Sequence, residues 1–347
     1  MAERYYEIPN RTRPESVREV SSGSSGPLNV PPNMIFDAEH RGHPSSLQGP
    51  NASHPNGKQH FSARTILYPC LFIIIHFTLQ IFAAVIAMGV YMRTHNVNPF
   101  TWAMDAGTVQ TIVAAIQLPT LLYSAPVQIV VYLIFLWIRR RKDPFYLLLR
   151  PNSKMAIPLG VGSALGMLGV SGLLVFAFSM LAENNRFWQQ TLENYMQSTT
   201  YIAEESNYWL LTLCIAVLVP VAEELLFRGI VTEEIRRVAP DWLAVIIGGT
   251  AFALVHGNPV QVAYVFPLSL LLGAAYIWTN SIWVPIAMHM VYNFFGGSFS
   301  QLIQDNETAQ MIYGVAVILM IPVGVICGIL MWLHHRKQKI IAAEQPF

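Results

Sequence analysis

Six ionisable side chains stand inside the long apolar runs of this 347-residue chain: His76, Glu223, Glu224, Arg228, His256 and His289. A charge within a hydrocarbon-spanning segment is costly, and by default it marks a function. Five of the six fall between positions 223 and 289, which singles out that stretch. In the run Pro220-Val221-Ala222-Glu223-Glu224-Leu225-Leu226-Phe227-Arg228, Glu224 and Arg228 are four apart. That spacing puts them on one helix face, where they can pair. Glu223 points about 100° away and lacks that partner. A self-neutralising ion pair accounts for Glu224 and Arg228 and leaves Glu223 unexplained. His256 closes the run Ala251-Phe252-Ala253-Leu254-Val255-His256. Glu223 lies 14 residues before Arg237, and His256 lies 14 after Trp242. A turn between those two positions therefore puts both side chains about 21 Å along adjacent helices. His289 and Asn293 are again four apart on one face. A histidine alone is usually a packed core residue, and a His/Asn pair is often a helix–helix hydrogen bond. The convergence of three such motifs is what argues for chemistry.

That chemistry is water activation. A carboxylate and an imidazole converging on one point can hold and deprotonate a water, the arrangement that hydrolysis needs. Arg228 would keep Glu224 ionised and oriented. His289 and Asn293 would offer N–H donors to an oxyanion forming on an attacked carbonyl. The same residue types also allow a zinc site, with Glu223, His256 and His289 as ligands and water in the fourth position. The residues alone do not choose between the two. Elsewhere the plainer readings hold. His76 has no ionisable companion in its own segment and reads as a packed or interhelical residue. Glu233, Glu234, Arg236 and Arg237 read as a solvated helix end, and Cys70, Cys214 and Cys327 as buried free thiols.

The elements that must position these groups are membrane helices. Apolar residues make up 53% of the chain and charged residues 12%, with mean hydropathy +0.41; a soluble domain carries about 25% charged residues. Net charge is +1, which gives no reason to expect nucleic acid as a partner. Eight apolar segments run at about 65–92, 108–138, 155–182, 207–236, 242–257, 260–278, 282–301 and 309–333. Only helices or closed barrels satisfy the backbone in lipid, and these runs are too long for barrel strands. The expected fold is therefore all-α, a polytopic membrane protein of about eight transmembrane helices. Residues 1–60 are rich in Pro, Gly, Ser, Asn and charge, and read as a disordered tail without an apolar signal-peptide region. The membrane domain is expected over 61–336, and a C-terminal tail over 337–347. Basic residues concentrate after segments two and eight, in Arg139-Arg140-Arg141-Lys142 and His334-His335-Arg336-Lys337. The opposite loops carry Asp105, Glu183, Glu193, Glu204, Glu205, Asp305 and Glu307. The positive-inside rule then puts both termini in the cytoplasm.

Other designs for hydrolysis within a bilayer can be checked off. HExxH is absent, and no aspartate falls within a span. Gly169-Val170-Ser171-Gly172 matches the GxSG of rhomboid serine peptidases, but small residues are common in membrane helices for close packing. Glu223-Glu224-x-x-x-Arg228, Phe252-x-x-x-His256 and His289-x-x-x-Asn293, in that order on successive helices, resemble the CPBP (CAAX protease and bacteriocin-processing, Abi-type) intramembrane peptidases. The resemblance covers about 205–300. It implies an eight-span helical fold with the site in a cavity within the membrane. It also implies that Glu223 activates water with His256, that Glu224 and Arg228 support, and that His289 and Asn293 form the oxyanion site. The expected substrate is a membrane-associated peptide or protein, and the expected location is the plasma membrane of a bacterium. The alternative is a catalytically silent membrane partner that regulates a sensor kinase or transporter. For topology, a reporter active only when exported, fused after Phe347, is expected to stay inactive; activity there would overturn the orientation.

Overall fold

Each of the eight apolar segments folds as helix in the computed structural model, which describes residues 58–97, 106–149, 154–204 and 207–344. In chain order the helices are α1 (Arg64–Thr94), α2 (Ala106–Lys142), α3 (Ala156–Ala182), α4 (Arg186–Glu204) and α5 (Tyr208–Arg236). They continue as α6 (Asp241–Leu254), α7 (Pro259–Thr279), α8 (Trp283–Asn293) and α9 (Glu307–Glu344). No strand occurs among the described residues, only an isolated bridge between Leu149 and Ser281. Among the described residues, six helices are long and apolar enough to cross a membrane: α1, α2, α3, α5, α7 and α9. The fifth and seventh of the eight apolar segments form shorter helices, α6 and α8. Helix α6 has 14 residues, about 21 Å against about 30 Å of hydrocarbon. Helix α8 has 11 before its regular winding changes to a π-helical turn at Phe294–Phe299.

Local sequence explains the boundaries near the site. Asn207 caps α5, its side chain accepting from the Trp209 and Leu210 amides. Gly257 follows α6 at φ +71°, a left-handed conformation that favours glycine. Asn258 then caps α7, with Pro259 at the first helical position, where a missing N–H costs nothing. The strip 256–259 is thus a corner that holds His256 just beyond the end of α6. Helix α4 falls in what the sequence reads as a loop. Its Tyr195 hydroxyl lies 3.1 Å from that of Tyr264 on α7.

Helices α5 and α7 are the most enclosed spans and α9 the least. Outward faces carry large apolar side chains such as Ile81, Phe176, Met311 and Leu319, which suits a lipid surface. Lipid supplies no hydrophobic drive for helix association, so close backbone approach matters. A Cβ on Gly166 of α3 would lie 2.5 Å from Gly324 Cα of α9, and one on Gly324 would lie 2.6 Å from Gly166 Cα. Ser171, of the GxSG stretch, bonds the Tyr292 hydroxyl at 2.6 Å and ties α3 to α8.

Two parts of the sequence reading change. Glu233 and Glu234 are not a solvated helix end; they are 1% and 3% exposed. The Tyr276 hydroxyl donates to Glu233 at 2.9 Å and Arg236 pairs with it at 2.7 Å. Arg139 and the Tyr146 hydroxyl both donate to Glu234, at 2.8 and 3.0 Å. Burial, with Glu234 and Glu233 beside it, pushes the Tyr146 hydroxyl well above the usual phenol range, so it stays a donor at neutral pH. Cys70 is exposed on the outer face of α1, whereas Cys214 is buried. At the domain edges, the tail assigned to 1–60 lies outside the described residues up to 57. Lys58 pairs with Asp241 at 3.1 Å, and the Gln59 amide donates to the Arg237 carbonyl at 2.8 Å. The stretch assigned to a C-terminal tail from 337 continues α9 as helix to Glu344. Replacing Gly166 by Leu is expected to cost about 1–3 kcal/mol or more through overpacking, read as a lower melting temperature of the detergent-solubilised protein.

Candidate active site

Two of the three motifs meet on one buried carboxylate oxygen, and the third packs its phenylalanine against both of the groups that bond it. Glu224 Oε1 accepts from Arg228 at 2.7 Å and sits 2.9 Å from His289 Nδ1. Glu224 is fully buried and Arg228 is 1% exposed. The expected (i, i+4) pair is present, and it draws in two further helices. Arg228 also donates to the Ser269 carbonyl of α7 at 2.9 Å. Its guanidinium stacks over the Phe252 ring of α6, 4.7 Å from the centroid. Phe252 is the hub of the aromatic contacts, with His256 at 5.2 Å and His289 at 5.6 Å between ring centres. The other oxygen, Glu224 Oε2, is buried and has no hydrogen-bond partner among the described residues.

Glu223 differs from its neighbour as the helical geometry requires. Its side chain keeps 14% exposure against none for Glu224. Its Oε2 lies 3.6 Å from His289 Nε2, beyond hydrogen-bond range, so that ring nitrogen is not consumed by it. His256 Nδ1 lies 2.9 Å from the Phe252 carbonyl, which can only accept. The proton therefore sits on Nδ1, and Nε2 of the neutral ring presents a lone pair. No hydrogen bond or ion pair joins Glu223 to His256 among the described residues.

Asn293 has a partner that sequence reasoning did not foresee. Its Nδ2 donates to the Ile215 carbonyl at 3.0 Å. The cause lies in a π-helical turn at Leu213–Leu218, where the Val219 amide reaches back five residues to Cys214. The next bond of that pattern would run from residue 220 to Ile215, and Pro220 has no N–H. Asn293 supplies the missing donor and keeps a second N–H. Two more π-helical turns border the motifs, Phe227–Thr232 around Arg228 and Phe294–Phe299 directly after Asn293. Such turns cluster at functional sites.

As to metal, no group of three or more His, Cys, Asp or Glu side chains among the described residues is arranged to hold an ion. His289 Nδ1 is turned to Glu224. The Ser269 and Ile215 carbonyls were missed by sequence reasoning, and Phe252, though part of a motif, was given no role there. The only available signal was Pro220 inside the helix, which announces an orphaned carbonyl.

Residues 205–295 match the family model described as type II CAAX prenyl endopeptidase Rce1-like. The chain is also similar to the membrane-embedded CAAX protease MroQ of Staphylococcus aureus (strain USA300), at 26% identity over 114 residues. That alignment covers 30% of this chain and 46% of the relative, so it spans less than half of that protein's length. No solved structure matches. With its apolar helices this is an integral membrane protein, and the match over residues 205–295 agrees with the CPBP resemblance of the three motifs.

The Asn293 geometry makes a separable prediction. Asn293→Ala is expected to cost roughly 1–3 kcal/mol of stability by leaving the Ile215 carbonyl unpaired. Adding Pro220→Ala restores a backbone N–H there, so the double variant is expected to melt higher than Asn293→Ala alone.

Proposed function

We propose that this protein is an intramembrane endopeptidase that hydrolyses a peptide bond of a membrane-associated peptide or protein, with Glu223 as the base. The observation that carries this reading is the division of labour between adjacent glutamates. Glu224 is consumed by Arg228 and His289, whereas Glu223 is partly exposed beside the ring nitrogen of His289 that points away from Glu224. Water would lose a proton to Glu223, assisted by the His256 Nε2 lone pair, as its oxygen attacks the carbonyl carbon. The oxyanion would be met by the spare N–H of Asn293 and, in the form of His289 protonated on both ring nitrogens, by its Nε2–H, since Nδ1 already donates to Glu224. On collapse the C–N bond breaks, and the proton held by Glu223 passes to the leaving amine. A carboxylic acid and an amine are released. Arg228 acts only through Glu224, whose direction sets that of His289.

The family match and the named relative support a protease acting on substrates at the membrane. The basic loops favour cytoplasmic termini in a bacterial plasma membrane. Glu223→Gln keeps size and hydrogen bonding but removes the base. Turnover is expected to fall by roughly 10² to 10⁴, read by comparing membrane-protein cleavage products in cells making equal amounts of wild type and variant. Equal cleavage by both would sink the assignment and leave a silent membrane partner as the better account.

A further inference from the structure

Apart from the proposed site, a cavity of about 350 Å³ lies between α3, α7 and α9. Pockets that hold small ligands run from about 300 to 1,000 Å³. None of its lining residues belongs to the proposed site, and Ser163 is the one polar side chain among the aliphatic and tryptophan walls. Along α9 the lining runs from Ile321 to Trp332, about 16 Å of helix rise. That is roughly one leaflet of a hydrocarbon core about 30 Å thick. A helix of another chain would run the whole thickness, so the groove suits a lipid chain better than a partner helix.

The same face of α9 turns basic where the groove ends. Gly324, Gly328 and Trp332 line the cavity at spacings of four, and the next positions of that series are Arg336 and Lys339. The Arg336 guanidinium lies over the Trp332 ring, 4.9 Å from its centroid. His335 Nδ1 lies 3.1 Å from the Trp278 carbonyl, which only accepts, so His335 donates and holds this end of α9 against α7. Arg336, Lys337 and Lys339 are exposed, and among the described residues they take part in no ion pair. Over 331–344 the sole acidic residue is Glu344. Tryptophan beside basic residues marks the level of lipid headgroups. A plain interfacial anchor, however, needs no cavity behind it.

We propose that this groove holds one acyl chain of an anionic phospholipid, with the phosphate at Arg336 and Lys339. The lipid belongs to the leaflet on the side of the basic loops, where a negative surface potential attracts such residues. Bound there, it fills the wedge between α9, the least enclosed span, and the body of the protein. The inference does not rest on the peptidase reading, and its test measures no cleavage. Removing one cation near an anionic headgroup is expected to weaken binding about fivefold, so Arg336→Gln with Lys339→Gln should weaken it about thirtyfold. A Cβ on Gly328 would meet only Ser163 Oγ, at 3.7 Å, so Gly328→Leu has room to fill the cavity.

The experiment titrates the full chain in neutral detergent micelles with phosphatidylglycerol brominated on its acyl chains, beside equally brominated phosphatidylcholine. The readout is quenching of tryptophan fluorescence. Wild type is expected to show a saturable component, reached at lower concentration with phosphatidylglycerol, that Trp278→Phe with Trp332→Phe removes. Gly328→Leu is expected to lose that component, and Arg336→Gln with Lys339→Gln to bring phosphatidylglycerol down to the phosphatidylcholine level. Equal quenching of wild type by the two lipids overturns the proposal, since unselective lipid around the helices would do the same. Undiminished saturable quenching of Gly328→Leu overturns it too. So does a wild type whose groove tryptophans are not quenched, the result if a second copy covers α9. Should Gly328→Leu not accumulate, the charge variant decides. A retained preference for phosphatidylglycerol contradicts the site, and its loss with normal accumulation supports it.

Discussion

One carboxylate oxygen, Glu224 Oε1, sets the terms for the rest of the site. A buried charge needs compensation on the spot, because low-dielectric surroundings punish an unpaired ion far more than they reward a paired one. Arg228 and His289 both turn to that oxygen. Arg228 in turn reaches the Ser269 carbonyl and lies on the Phe252 ring. Helices α5, α6, α7 and α8 are thereby held in one register by the neighbours of a single atom. Adjacent residues on a helix diverge by about 100°. Once Glu224 is turned fully inward, Glu223 is directed to a less buried position. The second glutamate is available for chemistry because the first is not.

Irregular backbone does the fine positioning. The three π-helical turns lie before Glu223, around Arg228 and after Asn293. Each rotates the side chains that follow relative to a plain α-helix, and each strains the carbonyl ladder. Pro220 adds a missing donor to the first of them, and Asn293 covers it from α8. The residue proposed to meet an oxyanion is therefore also a structural brace, which explains how its amide is held still. At the other end, Gly257 and Asn258 stop α6 short, so that His256 projects from a fixed corner rather than from mid-helix.

Much of this was legible in the sequence because helices convert spacing into direction. Glu224 and Arg228 are four apart and are joined as that spacing requires. Phe252 and His256 share a face, and the His256 ring bonds the Phe252 carbonyl. His76 reads as an interhelical residue and bonds Tyr132. What the sequence hid depends on distant partners. Glu233 and Glu234 look like any charged helix end, and their burial comes from Tyr276, Tyr146 and Arg139, which are 43, 88 and 95 residues away. Apolar length alone also did not show that α6 ends early, at a corner built by Gly257 and Asn258.

The central claim is that the buried Glu224–Arg228 pair organises the site as a unit, and a double-mutant cycle on stability tests it most directly. Arg228→Met alone strands a buried carboxylate and is expected to cost roughly 3–5 kcal/mol. Glu224→Gln with Arg228→Met removes both charges, and the amide oxygen introduced at position 224 can still accept from His289. On this account the double variant melts well above Arg228→Met alone. Losses that simply add, with the double variant the least stable of the set, would contradict it.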